Sequence, residues 1–180
     1  MNDISQELAK LHFLNGADFI RQLKLIVSSG WFHPIEGEYS IYSVGGEKGE
    51  DYDNLLNAAR KAVEIGYHVF ILPNPSGTKT ADFIFERKGV YKMFDLKTIV
   101  GKGSVDNRLA ESIGQSNRVL LNITTDYRAG LLARAILSYF ERRPEAREVV
   151  VLKGNKHISI TRQTIIDKNF IVSFSKKYYK

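Results

Sequence analysis

The 180-residue chain contains no cysteine. That excludes a disulfide framework, a thiolate-ligated zinc or iron–sulfur site and a cysteine nucleophile. It leaves the compartment open. Proline, methionine and tryptophan are scarce, at four, two and one, so the chain has no Pro-rich linker. No run approaches the roughly 18 apolar residues a membrane helix needs. The opening MNDISQELAK lacks the basic-then-apolar order of a secretory signal. A soluble chain without a membrane span is the expectation. The four histidines, His12, His33, His68 and His157, show no metal-ligand spacing.

What is present is the composition of one globular domain with an appendage: 43% hydrophobic and 26% charged residues, with a net charge of +6. The charge is unevenly spread. Residues 1–53 carry four Lys/Arg against nine Asp/Glu, whereas residues 54–140 carry twelve against seven and residues 141–180 ten against four. A basic body behind an acidic front points to a polyanionic partner with salt-sensitive binding.

Residues 4–29 have helical spacing through Leu8, Leu11, Phe19, Leu23 and Ile26, broken near Asn15-Gly16. A short strand is expected over 39–44, then a polar loop to Glu50. Asp53 is a candidate N-cap for a helix through Ile65, which Gly66 stops. Strands are expected over 67–72, 82–86 and 90–99, the last two joined as a hairpin through Arg87-Lys88-Gly89. A helix over 105–116, a strand over 118–123 and an amphipathic helix over 127–143 follow, the last with Leu131, Leu132, Ala135, Ile136 and Phe140 inward. A hairpin of 149–152 with 157–161, a short strand over 170–174 and a basic tail complete the reading. The order implies an α/β (α+β) fold with a mixed central sheet, an α-β-β-β-α-β core, an extra N-terminal helical segment and a C-terminal helix plus hairpin. Residues 1–52 read as the extension, 53–175 as the α/β domain and 176–180 as the tail.

Three charged residues stand among apolar neighbours. Asp82 opens Asp82-Phe83-Ile84-Phe85, and Asp95 and Lys97 lie within Met93-Phe94-Asp95-Leu96-Lys97-Thr98-Ile99. The two-residue period of a strand turns Asp95 and Lys97 to one face. Across the expected hairpin Asp82 approaches Asp95, and two facing carboxylates call for a cation between them. Mg²⁺ (or Mn²⁺) suits Asp82 and Asp95 as ligands, with Lys97 placed to orient a water or to stabilise developing charge. Glu64, late in the preceding helix, is a further acid. The plainer alternative is a same-face ion pair on a half-exposed strand. Gly101-Lys102-Gly103-Ser104 lacks the spacing of a phosphate-binding P-loop. It still sets Lys102 and Ser104 just after Lys97, where a phosphate can rest.

This order of elements and residues resembles the core of PD-(D/E)xK nucleases over about residues 53–123. The resemblance makes Asp82 and Asp95 the two carboxylates, Lys97 the lysine and Glu64 the upstream helical acid. Ala81 stands where some members have proline. Gln115 and Arg118 are similar to a Gln-x-x-(Arg/Lys) feature of some members, implying contacts to nucleic acid. The segments Ala81–Ile84, Phe94–Ile99 and Glu111–Ile123 further resemble the C-terminal toxin domains of contact-dependent growth inhibition (CdiA-like) proteins. That likeness implies a nuclease toxin acting on RNA, tRNA first and DNA second. It also implies an immunity protein as partner, and delivery from outside into a bacterial cytoplasm.

Two other readings stand beside it. One is a metal-independent ribonuclease of the barnase/EndoU/colicin/RelE type, with His68 as general base and Lys97, Thr98 and Arg118 as partners. The other is a basic nucleic-acid-binding module without catalysis. Nine Tyr and ten Phe mostly fall at core spacings, but Lys176-Lys177-Tyr178-Tyr179-Lys180 is a basic–aromatic cluster expected to be exposed.

Overall fold

The computed structural model describes residues 3–45, 51–74, 80–101, 103, 105–112 and 115–180. The fold is mixed α+β, and each strand pairs with the next one along the chain, some pairs parallel and others antiparallel. The chain forms two compact units, Met1–Phe94 and Asp95–Lys180.

In the first unit, helix α1 (Ile4–Lys10) starts at Asp3, whose carboxylate accepts from the Ser5 N–H at 3.3 Å. A short 3₁₀ turn (Leu11–Phe13) follows, and α2 (Gly16–Ser28) begins where Gly16 takes a positive φ. The break expected near Asn15-Gly16 is therefore present. Leu8, Leu11, Leu23 and Ile26 are buried with Phe70, Leu72 and Ile84. Glu7 is buried too, bonded to the Gln22 amide at 2.7 Å and to Lys10 at 2.9 Å. These bonds, Gln22 first, hold its carboxyl below the usual range.

Strand β1 (His33–Pro34) pairs antiparallel with β2 (Ile41–Ser43), which pairs parallel with β3 (His68–Ile71). Between them α3 (Tyr52–Glu64) buries Leu56, Ala58, Ala59 and Ala62. The residue preceding α3 is Asp51, not Asp53; Asp53 lies in the first turn, where negative charge complements the helix dipole. Gly66, at φ 103°, turns the chain from α3 towards β3. Strands β3 and β4 (Phe83–Arg87) are antiparallel, as are β4 and the first half of β5 (Val90–Ile99). Lys88 and Gly89 both have positive φ, which the tight hairpin between β4 and β5 requires.

In the second unit the last half of β5 pairs parallel with β6 (Arg118–Ile123), and β6 pairs parallel with β7 (Glu148–Lys153). Strand β8 (Lys156–Thr161) returns antiparallel to β7. Helices α4 (Val105–Ala110) and α5 (Ala129–Arg142) are the parallel crossovers. Val119, Leu121, Ile123, Val149, Val151, Ile158 and Ile160 alternate onto one sheet face. They form the core with Leu132, Ile136 and Phe140 of α5. Leu131, expected inward, is exposed, because the face of α5 turned to the sheet runs through Leu132, Ala135 and Ile136. Helix α4 is shorter than expected, since Glu111 and Ser112 already form a turn. A short α6 (Arg162–Ile165) follows β8, opened by a Thr161/Thr164 capping box. Arg162 donates to the Phe140 and Arg143 carbonyls, closing the end of α5.

The expected strand over 170–174 is instead the start of α7 (Phe170–Tyr179). Phe170, Phe174 and Tyr178 are buried four residues apart while Val172 is exposed, which is a helical and not an alternating pattern. Lys176, Lys177, Tyr178 and Tyr179 of the expected basic tail belong to this helix. Burial pushes the Tyr178 hydroxyl up to about 12. The unfolded chain loses that proton near pH 10. The folded protein therefore holds a proton that the unfolded chain lacks between pH 10 and about 12. Stability from this group is complete below pH 10 and falls as pH rises through that window. Denaturant titration at pH 9 and pH 11 should show this loss, and Tyr178→Phe should reduce it.

Candidate functional site

The site begins with the register of β5. Asp95 lies opposite Val119, Lys97 opposite Leu121 and Ile99 opposite Ile123. Asp95 and Lys97 therefore point to the same face as the apolar core of the second unit. Asp95 is 1% exposed and Lys97 9%. The Lys97 Nζ is 3.2 Å from Asp95 Oδ2. The same-face pairing read from the sequence is thus present, but it is buried and not half-exposed.

A third group reaches the pair from the turn after α4. With its amide nitrogen facing the two acceptors, Gln115 donates to Asp95 Oδ2 and to the Glu111 carbonyl, each at 3.0 Å. In the reverse orientation its oxygen accepts only a long bond, 3.4 Å, from Lys97. The first orientation satisfies two acceptors and is therefore the one the amide takes. Beneath lies Ser112, fully buried, its hydroxyl bonded to the Leu109 carbonyl at 2.7 Å. Tyr139 of α5 bonds to Ser112. Burial pushes the Tyr139 hydroxyl up, against that bond and with the Glu145 and Asp95 charges in support.

An ion pair this deep is a weak source of stability, because taking two charges out of water costs about as much as their attraction returns.

Arg118 does not join this group. It lies opposite Glu148, one residue out of phase with the core face, so its side chain leaves the other side of the sheet. There it pairs with the buried Glu148, which also accepts from the Ser159 hydroxyl. Thr98, opposite Asn122, shares that second face. Lys97 and the pair Thr98 and Arg118 are therefore on opposite faces. Sequence reasoning does not single out Glu148, although it carries the signal that marks Asp95: one acid in an apolar strand, Glu148-Val149-Val150-Val151-Leu152.

Asp82, Glu64 and His68 belong to the first unit. Asp82 is half-buried just before β4; its N–H donates to the Phe94 carbonyl at 3.1 Å and its carbonyl accepts from Leu72 at 2.8 Å. Glu64 ends α3, exposed. His68 opens β3, exposed, with Nε2 3.8 Å from a Glu86 carboxylate oxygen. Lys102 and Ser104 lie outside the described residues.

Asp95 offers the hard oxygen donor that Mg²⁺ prefers. Among the described residues no three His, Asp or Glu side chains come together as a metal cluster. A site here would draw one or two carboxylates from the protein and fill its remaining positions with water and phosphate oxygens, the usual manner of Mg²⁺. The described residues also include no helix long and apolar enough to cross a membrane.

No protein-family model matches the chain, and no curated protein does. Among solved structures it is similar to a CdiA-CT/CdiI toxin and immunity complex from Burkholderia pseudomallei, with 18% identity and a TM-score of 0.40, over 64% of this chain and 89% of that one.

Proposed function

We propose that this chain is a nuclease that hydrolyses phosphodiester bonds of RNA, tRNA first, with Mg²⁺ as cofactor and Asp95 and Lys97 at its centre. The observation that carries the reading is the buried Asp95–Lys97 pair with the Gln115 amide fixed against it. The sequence resemblance to PD-(D/E)xK nucleases and CdiA-like toxin domains supports it, as does the basic charge of residues 54–180.

Hydrolysis adds water across one P–O bond: the water oxygen bonds to phosphorus, the leaving oxygen departs, and the water's protons end on product oxygens and solvent. Asp95 would hold the cation, with Gln115 fixing the carboxylate's rotamer. Lys97 would place a positive charge beside the phosphate as negative charge builds on its oxygens. Bound Mg²⁺ supplies Lewis acidity and lowers the pKa of a coordinated water. Asp82 is the second carboxylate of the reading, with Glu64 in support. Toxin action, with an acidic immunity protein as partner, is the wider context of the same reading.

The test is incubation of the purified chain with total tRNA and with plasmid DNA, each with Mg²⁺ and with EDTA. Cleavage of tRNA that requires the metal is the expected result. Cleavage that persists in EDTA removes the metal from the reading and turns attention to His68. No cleavage of either polymer overturns the enzyme reading.

A further inference from the structure

The basic–aromatic cluster at the end of α7 is not used by the chemistry above, yet the fold builds it into a defined surface. Tyr179 is 63% exposed, and its hydroxyl accepts the Ala129 N–H at the start of α5, 3.1 Å away. Its ring is therefore held in place while most of it faces solvent. Tyr178 packs edge-on to it, with ring centroids 5.2 Å apart. Lys153, the last residue of β7, sets its Nζ 4.0 Å from the Tyr178 ring centroid and 5.6 Å from that of Tyr179. Lys156, across the β7–β8 turn, donates to the Tyr178 carbonyl at 3.1 Å. Lys176, Lys177 and Lys180 are exposed at the end of α7, and Arg128 is exposed just before α5.

Lysines at a helix C-terminus favour the helix dipole, and that accounts for three of these cations. It does not account for Lys153, Lys156 and Arg128, which arrive from other elements. None of the six cations forms an ion pair among the described residues, and Asp126, which is exposed, acts electrostatically on the Tyr178 hydroxyl.

The platform also has a fixed relation to the candidate centre within the second unit. Lys153 follows Val149 and Val151 on the sheet face that carries Asp95 and Lys97. Two strand spacings across and two residues along, it lies on the order of 12 Å from Lys97. It stands at the carboxyl ends of the parallel strands, where α/β sheets bind their ligands.

We propose that Tyr179, Lys153, Lys156, Lys176, Lys177 and Arg128 form a docking platform for single-stranded RNA, with cations on the phosphates and one unpaired base stacked on Tyr179. The proposal deepens the nuclease reading by naming where the substrate strand is held. Charge complementarity selects a polyanion. An exposed, anchored ring beside the cations selects an unpaired base over a duplex, whose bases are already stacked.

The experiment measures fluorescence anisotropy of a labelled oligouridylate in EDTA, with Asp95→Asn as the parent so that binding is read without cleavage. Lys176→Ala/Lys177→Ala should lower the slope of log affinity against log salt by about 1.4, as expected when two phosphates of a single strand are no longer neutralised. Tyr179→Leu should weaken binding roughly tenfold, the value of one base stacked on an aromatic ring, whereas Tyr179→Phe, which keeps the ring but gives up its bond to Ala129, should weaken it by less. Thermal unfolding of each variant checks that the fold persists.

Unchanged affinity and salt slope in the lysine and leucine variants overturn the platform. So does equal affinity for a blunt RNA duplex, or a preference for phosphatidylserine vesicles over the oligonucleotide. If the variants behave as expected while the unmutated chain cuts no tRNA, the nuclease reading fails and the platform stands. If tRNA is cut and the variants bind normally, the platform alone fails.

Discussion

Asp95→Asn should lower RNA cleavage by about 10³-fold or more at temperatures where the variant is still folded, although it leaves the buried Lys97 charge without its partner and so lowers stability. The substitution keeps the side chain's shape and an oxygen able to accept from Gln115 and Lys97, which lie 3.0 and 3.2 Å from Oδ2. It removes the negative charge that would hold a divalent cation. Loss of several kcal/mol of metal-dependent transition-state stabilisation corresponds to roughly a thousandfold in rate. The measurement is single-turnover cleavage of tRNA with saturating Mg²⁺, beside a thermal melt of the same preparation. Wild-type rates in a folded Asp95→Asn variant would remove this centre from consideration. Asp82→Asn in the same assay then reports whether the second carboxylate of the reading takes part.

Lys97→Ala should destabilise the protein by about 3–5 kcal/mol, the usual cost of removing one partner of a buried ion pair. The alanine takes away the cation 3.2 Å from a carboxylate that is 1% exposed. Against a total stability of about 5–15 kcal/mol this is a large fraction. Asp95→Asn in the same chain should restore most of the loss, since no buried charge is then left alone. Guanidinium unfolding of the two single variants and the double variant measures the coupling directly. Additive losses would show that the pair is not coupled. Lys97→Arg keeps the charge and so the fold, but exchanges a compact ammonium for a planar guanidinium. Its reduced cleavage would therefore be a matter of chemistry and not of unfolding.

Much of the fold is legible in the sequence because its signals are local. Residues 90–99 and 118–123 are runs of mainly apolar residues between polar or glycine-rich stretches, and the strands occupy those bounds. Lys88-Gly89 and Gly154-Asn155 mark their hairpins through turn chemistry. Phe170–Phe174 reads as a strand because five apolar and small residues satisfy either period. Only the burial of Tyr178, one helical turn further on, decides for the helix. Leu131 differs for a similar reason: a helix rich in leucine and alanine offers two adjoining faces, and contact with the sheet selects one.

The sequence by itself determined that Asp95 and Lys97 share a face, because a strand alternates at every residue whatever surrounds it. It also determined the basic surplus and the absence of cysteine chemistry. The tertiary structure decided what the pair is. The parallel register of β5 with β6 turned it into the core, the chain after α4 brought Gln115 to its carboxylate, and the register of β6 with β7 sent Arg118 to the opposite face. Likewise, α7 made a buried Tyr178 and an anchored Tyr179 out of adjacent tyrosines. Pairing register and helix docking are contacts between residues distant along the chain, and local periodicity carries no record of them.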